Sequence, residues 1–215
     1  MQHEAIDGIV VRVRDTGDHD RYLSLLTAEK GRISLLSKGG RSMRSAQMSV
    51  SQLYTYGNFE FYRKGDFYIL KGGSPIQPFY ALSMDIDRLN LAAYLCDLAC
   101  ELSDEGEEAG ELLRLLLNSL YAISKDLYPQ ELIKGAFEIR AAVLSGYAPE
   151  IDGCGECGCT DAQHYYLDVM NGLLLCPECL DKRSRGAKTP DDYGELREAE
   201  TLCPITSSVC AAIRY

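Results

Sequence analysis

Two C-x-x-C pairs, Cys154-Gly155-Glu156-Cys157 and Cys176-Pro177-Glu178-Cys179, stand 18 residues apart. A knuckle of this kind turns two thiolates toward one point. Two knuckles at this separation supply the four ligands of a tetrahedral Zn²⁺ site. Four thiolates leave no open coordination position, so the metal they imply is structural rather than catalytic. Tyr165 to Leu175, with Asn171-Gly172 inside it, reads as a β-hairpin between the knuckles. Cys159, two residues past Cys157, is an alternative ligand, and His164 is a weaker competitor. A redox C-x-x-C pair is the competing chemistry. The chain has nine cysteines, an odd number, and a disulfide framework is not expected in a reducing cytosol.

The cytosolic expectation rests on the rest of the chain. The N-terminal stretch has acids where a secretory signal has a basic segment. No run of apolar residues is long enough for a membrane span. The apolar fraction is 46% and the charged fraction 25%, the balance of a globular chain.

Hydrophobic period divides the 215 residues into parts. Residues 1–78 read as five short strands, hence a small barrel, and periodicity does not separate an OB-type barrel from an SH3-like one. Val50 to Tyr62 alternates well, with Leu53, Thr55, Gly57, Phe59 and Phe61 on one face. Tyr54, Tyr56 and Tyr62 fall on the other face, and Tyr54, Tyr56, Phe59, Phe61 and Tyr62 are candidate base-stacking platforms, though such a stripe is more often half core and half surface. Residues 79–150 switch to helical period. Leu112, Leu115, Leu116, Leu120 and Ile123 form one stripe, and Ile133, Phe137, Ala141 and Leu144 another. Residues 151–181 form the four-cysteine insert. Residues 182–203 read as a polar loop. Pro204 to Tyr215 reads as the opening turns of a helix packing on the helical domain, and the natural chain is expected to continue beyond it.

Charge is spread unevenly. The formal net charge is −10, which argues against a generic polyanion binder. Yet residues 1–80 carry 11 Lys/Arg against 8 Asp/Glu, while residues 81–150 carry 5 against 13. Between Glu29 and Glu60 there is no acid, but Lys30, Arg32, Lys38, Arg41 and Arg44 all lie there. Lys38-Gly39-Gly40-Arg41 follows a strand, and glycine lets a phosphate approach the backbone. A solvated flexible loop is the plainer reading of the same residues. Arg140 lies seven residues after Ile133, near the apolar face of its helix. An arginine there needs a carboxylate partner or an anionic ligand. No nucleophile–base constellation, Walker loop or dinucleotide fingerprint is present, and nothing recommends an enzyme.

The order of parts (barrel, helical bundle, four-cysteine insert) resembles the bacterial recombination mediator family RecO. Gly8 to Arg12 with Asp20-Arg21, Thr27 to Arg32, and Lys38 to Arg41 resemble that family's opening landmarks. Gln77-Pro78-Phe79 resembles the start of its helical domain. Phe137-Glu138-Ile139-Arg140 with Gly146-Tyr147-Ala148-Pro149 precedes the first knuckle as in the family. The resemblance implies an α+β multidomain chain with an N-terminal OB-fold barrel, a central helical bundle and an inserted zinc ribbon. It implies a cytoplasmic, nucleoid-associated protein that binds single- and double-stranded DNA and anneals complementary strands without nucleotide hydrolysis. Its implied partners are RecR, RecF in some lineages, and the acidic tail of the single-strand-binding protein, and its task is loading RecA. Carried over for DNA are Lys38 and Arg41, then Arg32 and Arg44. Carried over for zinc are Cys154, Cys157, Cys176 and Cys179. Arg140 is carried over for the tail's carboxylates. A zinc-ribbon scaffold acting through protein contacts is the alternative function, and a thiol redox enzyme a third.

Overall fold

The computed structural model describes residues 3–42, 45, 47–65, 67–168, 171–186 and 202–206. Arg44 therefore lies outside the described residues, as do residues 207–215, on which most of the expected final helix falls. The chain divides into two units, Met1–Ser145 and Gly146–Tyr215. Among the described residues no helix is long and apolar enough to cross a membrane.

Five strands open the first unit: β1 (His3–Thr16), β2 (Asp20–Thr27), β3 (Gly31–Ser37), β4 (Thr55–Lys64) and β5 (Phe67–Pro78). They close into a barrel in the order β1-β2-β3-β5-β4. The seam between β3 and β5 is parallel, through Leu35 with Tyr68 and Leu36 with Ile69, and the other four pairings are antiparallel. This is the OB-fold barrel. Alternation fills it: Leu23 and Leu25 on β2, Ile33 and Leu35 on β3, and Phe59 and Phe61 on β4 all point into one buried cluster with Ile6, Val10, Val50 and Leu70. Each such side chain contributes about 1.5–3 kcal/mol by leaving water.

β1 breaks the alternation at one place. Its register to β2 slips between Val10 and Arg12, so Val11 is the extra residue of a β-bulge. Ile6 and Val10 pack inside the barrel, whereas Ile9 and Val11 join a second core. Unbroken period 2 from Ile6 and Val10 would carry Arg12 and Arg14 inward. The bulge reverses the phase. Val13 packs against the barrel core instead, opposite Leu23, and Arg12 and Arg14 stand exposed opposite Ser24 and Tyr22.

A 3-10 segment, Tyr80–Met84, leads into three helices: α1 (Ile86–Glu101), α2 (Gly110–Lys125) and α3 (Gln130–Leu144). Asp85 caps α1, its carboxylate accepting from the backbone N–H groups of Asp87 at 3.0 Å and Arg88 at 2.9 Å. Leu112, Leu113, Leu116, Leu120 and Ile123 of α2 meet Ile133, Phe137 and Ala141 of α3 in the second core. That core also takes Ile9, Val11, Leu26 and Tyr54 from the barrel. Barrel and helices therefore share apolar packing and form one unit.

The second unit contains β6 (Glu150–Cys154), β7 (His164–Asp168), β8 (Leu173–Leu175), α4 (Pro177–Gly186) and β9 (Leu202–Thr206). The sheet order is β6-β8-β7-β9. β7 and β8 are the hairpin expected between the knuckles. Of the polar stretch read as a loop over residues 182–203, residues 182–186 end α4, residues 202–203 open β9, and residues 187–201 lie outside the described residues. The stretch around Pro204 is a strand paired antiparallel to β7, with Tyr165 opposite Ile205 and Tyr166 opposite Pro204. Pro204 suits a helix start and Ile205 is apolar, which favours a helix locally, but pairing with β7 is a non-local contact that overrides it.

Candidate metal centre and nucleic-acid interface

The Sγ atoms of Cys154, Cys157, Cys176 and Cys179 all lie within 4.8 Å of one another. Cys157 Sγ and Cys176 Sγ are 3.7 Å apart. Zn–S bonds of about 2.3 Å in a tetrahedron set S···S at about 3.8 Å. The donor set and its spacing therefore fit one such ion.

Local backbone holds each knuckle. Cys154 ends β6. Its N–H donates to the carbonyl of Cys159 at 2.8 Å, and its carbonyl accepts from Gly158 N–H at 2.8 Å. Gly155 N–H reaches the carbonyl of Leu174 at 2.8 Å, tying this knuckle to β8. In the second knuckle Cys176 immediately precedes α4, Pro177 opens it, and Leu180 N–H closes the turn onto the Cys176 carbonyl at 3.0 Å.

The sulfurs differ from one another in their electrostatics. Burial pushes the Cys154 thiol up, but N–H groups of Cys176, Cys157 and Glu156 and the Cys157 thiol outweigh it and bring it down to about 6. Cys176 N–H approaches Cys154 Sγ at 3.3 Å. Cys179 moves the other way, raised first by its contact with the Cys157 thiol and then by burial. Cys157 also titrates above the ordinary thiol range, so a bound cation would have to displace protons from these two sulfurs. Cys159 stands outside the cluster, its Sγ 3.1 Å from Asp161 Oδ1. His164 is exposed on β7, with its ring against Tyr166.

The basic residues are less concentrated than their sequence suggests. Lys38 is exposed on the turn after β3. Gly39 there has φ +66°, and a Cβ on Gly40 would meet Ser37 Oγ at 2.3 Å, so the turn needs both glycines. Gly39 N–H donates to Asp20 Oδ1 at 2.7 Å. Arg41 Nε lies 3.3 Å from Asp15 Oδ2, and Asp15 also pairs with Arg21 at 3.3 Å. Lys38 and Arg41 thus share one turn, set beside Asp15 at the end of β1 and Asp20 at the start of β2. Arg32 is half-buried near the opposite end of β3, about 20 Å away at the rise of a strand. Lys30, at the foot of the same hairpin, is ion-paired with Glu4.

Arg140 is exposed on α3 and makes no salt bridge with a described residue. The requirement for a partner, argued from its spacing, falls away because Ile133, Phe137 and Ala141 form the buried line of the helix. Of the aromatics read as stacking platforms, Tyr54, Phe59 and Phe61 are buried in the two cores.

Sequence reasoning missed a groove of about 550 Å³ on the barrel surface. Arg12 and Arg14 of β1, Tyr22 of β2, Phe67 and Tyr68 of β5, and Glu105 line it. Phe67 is 59% exposed. The groove exists because the bulge at Val11 turns two arginines outward, and the apolar run Ile9-Val10-Val11 was the one local sign of it.

An OB-fold barrel sharing a core with a helical bundle, followed by a sheet unit whose four thiols could hold a metal, defines a multidomain OB-fold protein with a four-cysteine unit. The family descriptions Recombination protein O N terminal and Recombination protein O C terminal match residues 1–79 and 83–196. The DNA repair protein RecO of Acetivibrio thermocellus is 35% identical over 201 residues, covering 93% of this chain and 76% of that protein. The DNA repair protein RecO of Halalkalibacterium halodurans is 29% identical over 196 residues, covering 91% and 76%. The chain belongs to the RecO family.

Proposed function

We propose that the chain is a DNA repair and recombination mediator. It binds single- and double-stranded DNA, anneals complementary strands and, with RecR, helps load RecA onto DNA coated by single-strand-binding protein. The observation that carries this reading is the match of both RecO family descriptions to a chain whose barrel presents outward arginines beside the exposed ring of Phe67. Annealing requires phosphate repulsion between two strands to be relieved at one surface, and cations that release counterions can do this without reading bases. Lys38, Arg41, Arg32 and Arg44 are the proposed phosphate contacts. Arg140 on α3 is the proposed contact for the acidic tail of the coat protein. RecF is a further partner in this reading, and the setting is the cytoplasmic nucleoid. Cys154, Cys157, Cys176 and Cys179 would hold one Zn²⁺, which would cross-link β6, β8 and α4.

One observation favours the scaffold reading: Arg12, Arg21, Lys30 and Arg41 are all already paired with carboxylates. Fluorescence anisotropy with a single-stranded oligonucleotide over a salt series separates the two. The mediator reading expects binding that weakens with salt. In Lys38→Ala/Arg41→Ala the slope should be shallower by about 0.7 for each phosphate left without its cation. No binding by the zinc-loaded parent at low salt would place the scaffold reading ahead.

A further inference from the structure

The groove on the barrel is partly filled by the protein's own charge. Arg12 NH2 lies 2.6 Å from Asp97 Oδ1 on α1. The hydrogen bond to Asp97 and that residue's charge raise the guanidinium's pKa further. Glu105 reaches the same groove from the connection between α1 and α2. That connection is fastened to the β2–β3 hairpin by three backbone hydrogen bonds. Arg32 N–H reaches Asp104 O at 3.4 Å, Gly106 N–H reaches Lys30 O at 3.0 Å, and Ala109 N–H reaches Ala28 O at 2.8 Å. A Cβ on Gly31 would stand 2.1 Å from the Asp104 carbonyl, so only glycine allows the approach. Both carboxylates are thus positioned by the fold.

The Arg12–Asp97 pair is also easily broken. The two side chains are 51% and 61% exposed. Exposed pairs of this kind contribute little net free energy, because water and salt compete for both partners. Arg14, beside it on β1, makes no ion pair with a described residue. The exposed Phe67 and the half-buried Tyr22 line the groove, and aromatic rings of this kind can stack on unpaired bases.

We propose that Asp97 is an exchange partner for phosphate: it holds the Arg12 guanidinium in the free protein and gives it up to a phosphate of single-stranded nucleic acid entering the groove, with Glu105 opposing entry from the rim. This rests on the nucleic-acid role proposed above and adds its regulation. The exchange keeps affinity low and release fast, because each phosphate that gains Arg12 leaves a carboxylate without its partner. The counterion released from the strand is offset by a cation drawn to Asp97, so Arg12 adds little to the salt dependence of the parent.

The test is anisotropy binding of a short oligothymidylate to the full zinc-loaded chain, with the parent, Asp97→Asn, Arg12→Gln and the double variant over a salt series. Asp97→Asn is expected to bind about two- to fivefold tighter at low salt, with a slope steeper by about 0.7. The gain is expected to vanish in the Arg12→Gln background. Glu105→Gln is expected to tighten binding less. Thermal melting checks that each variant is folded, and Asp97→Ser stands in if Asp97→Asn is not. A folded Asp97 variant with unchanged or weaker binding overturns the inference. So does a gain that persists without Arg12, which is only the loss of one negative charge. A parent that does not bind at low salt overturns the nucleic-acid reading and this inference with it. A parent weakened by Lys38→Ala but unaffected by Asp97→Asn overturns this inference alone.

Discussion

Each of the two units is stabilised internally by different physics. The barrel–helix unit has two apolar cores, one joining Leu and Phe side chains of three helices to the outside of the barrel, the other filling the barrel. The second unit's core has seven buried residues among those described, and three of them are Cys154, Cys176 and Cys179. In the first unit burial of hydrocarbon outweighs chain entropy. In the second, three cysteine side chains occupy the buried place where a larger domain would have leucine, and a metal ion held by the four thiols would cross-link that core. A fold can therefore do with fewer apolar residues where a metal cross-links the chain, but it then depends on that metal.

The strongest way to break this comparison is metal removal. Exhaustive chelation is expected to unfold the sheet of β6 to β9 with α4 while the barrel–helix unit stays folded, since zinc-thiolate sites of this kind carry about 10–16 kcal/mol. Limited proteolysis should then cut first beyond residue 145, and circular dichroism should retain the helical signal of α1 to α3. Simultaneous loss of both units on chelation would mean that the cores are not independent.

Phe137→Ala tests the other side. Phe137 is fully buried at the centre of the helical core. Its truncation is expected to cost about 3–5 kcal/mol in chemical denaturation while the zinc content stays at one per chain. A change in zinc content with this variant would show that the two units stabilise one another.

A smaller effect sharpens the contrast within the second unit. Asp168 is 4% exposed. It accepts from Asn171 N–H at 3.1 Å, Asn171 Nδ2 at 2.8 Å and Arg183 NH1 at 3.1 Å, which links β7 to α4. Burial raises its pKa, but the hydrogen bonds from Asn171 and the bond and charge of Arg183 outweigh this, and the carboxyl titrates below its ordinary range. Its stabilisation is therefore complete above the ordinary pKa of about 3.9 and is lost as pH falls through the lower folded value. Asp168→Asn is expected to destabilise the second unit by about 1–3 kcal/mol at neutral pH and to flatten its acid dependence. An unaltered melting profile between neutral and acid pH would show that Asp168 is not the titrating group.

Much of this was readable from residues close together in the chain. The four ligands and the hairpin between them depend on spacing of a few residues around Cys154 and Cys176, and the helical stripes at Leu112–Ile123 and Ile133–Ala141 depend on period alone. Arg140 was misplaced because seven residues from Ile133 is near the buried line but not on it. β9 was missed because its partner, β7, lies more than thirty residues earlier. Cys159 looks like a ligand by proximity in sequence, yet its carbonyl holds the first knuckle while its thiol turns to Asp161.

Local sequence alone determined that residues 151–181 would gather four thiols, that a β segment would precede a helical one, and that positive charge would collect before Glu60. Tertiary structure alone decided which of those charges are free. Whether Arg12 faces a groove or a core depends on one extra residue in β1. Whether it is neutralised depends on Asp97, 85 positions away. The reason is physical: spacing and period act through bonds and turns that the chain carries with it, whereas Coulomb and packing forces act between whatever groups the closed barrel and its helices bring within a few ångströms.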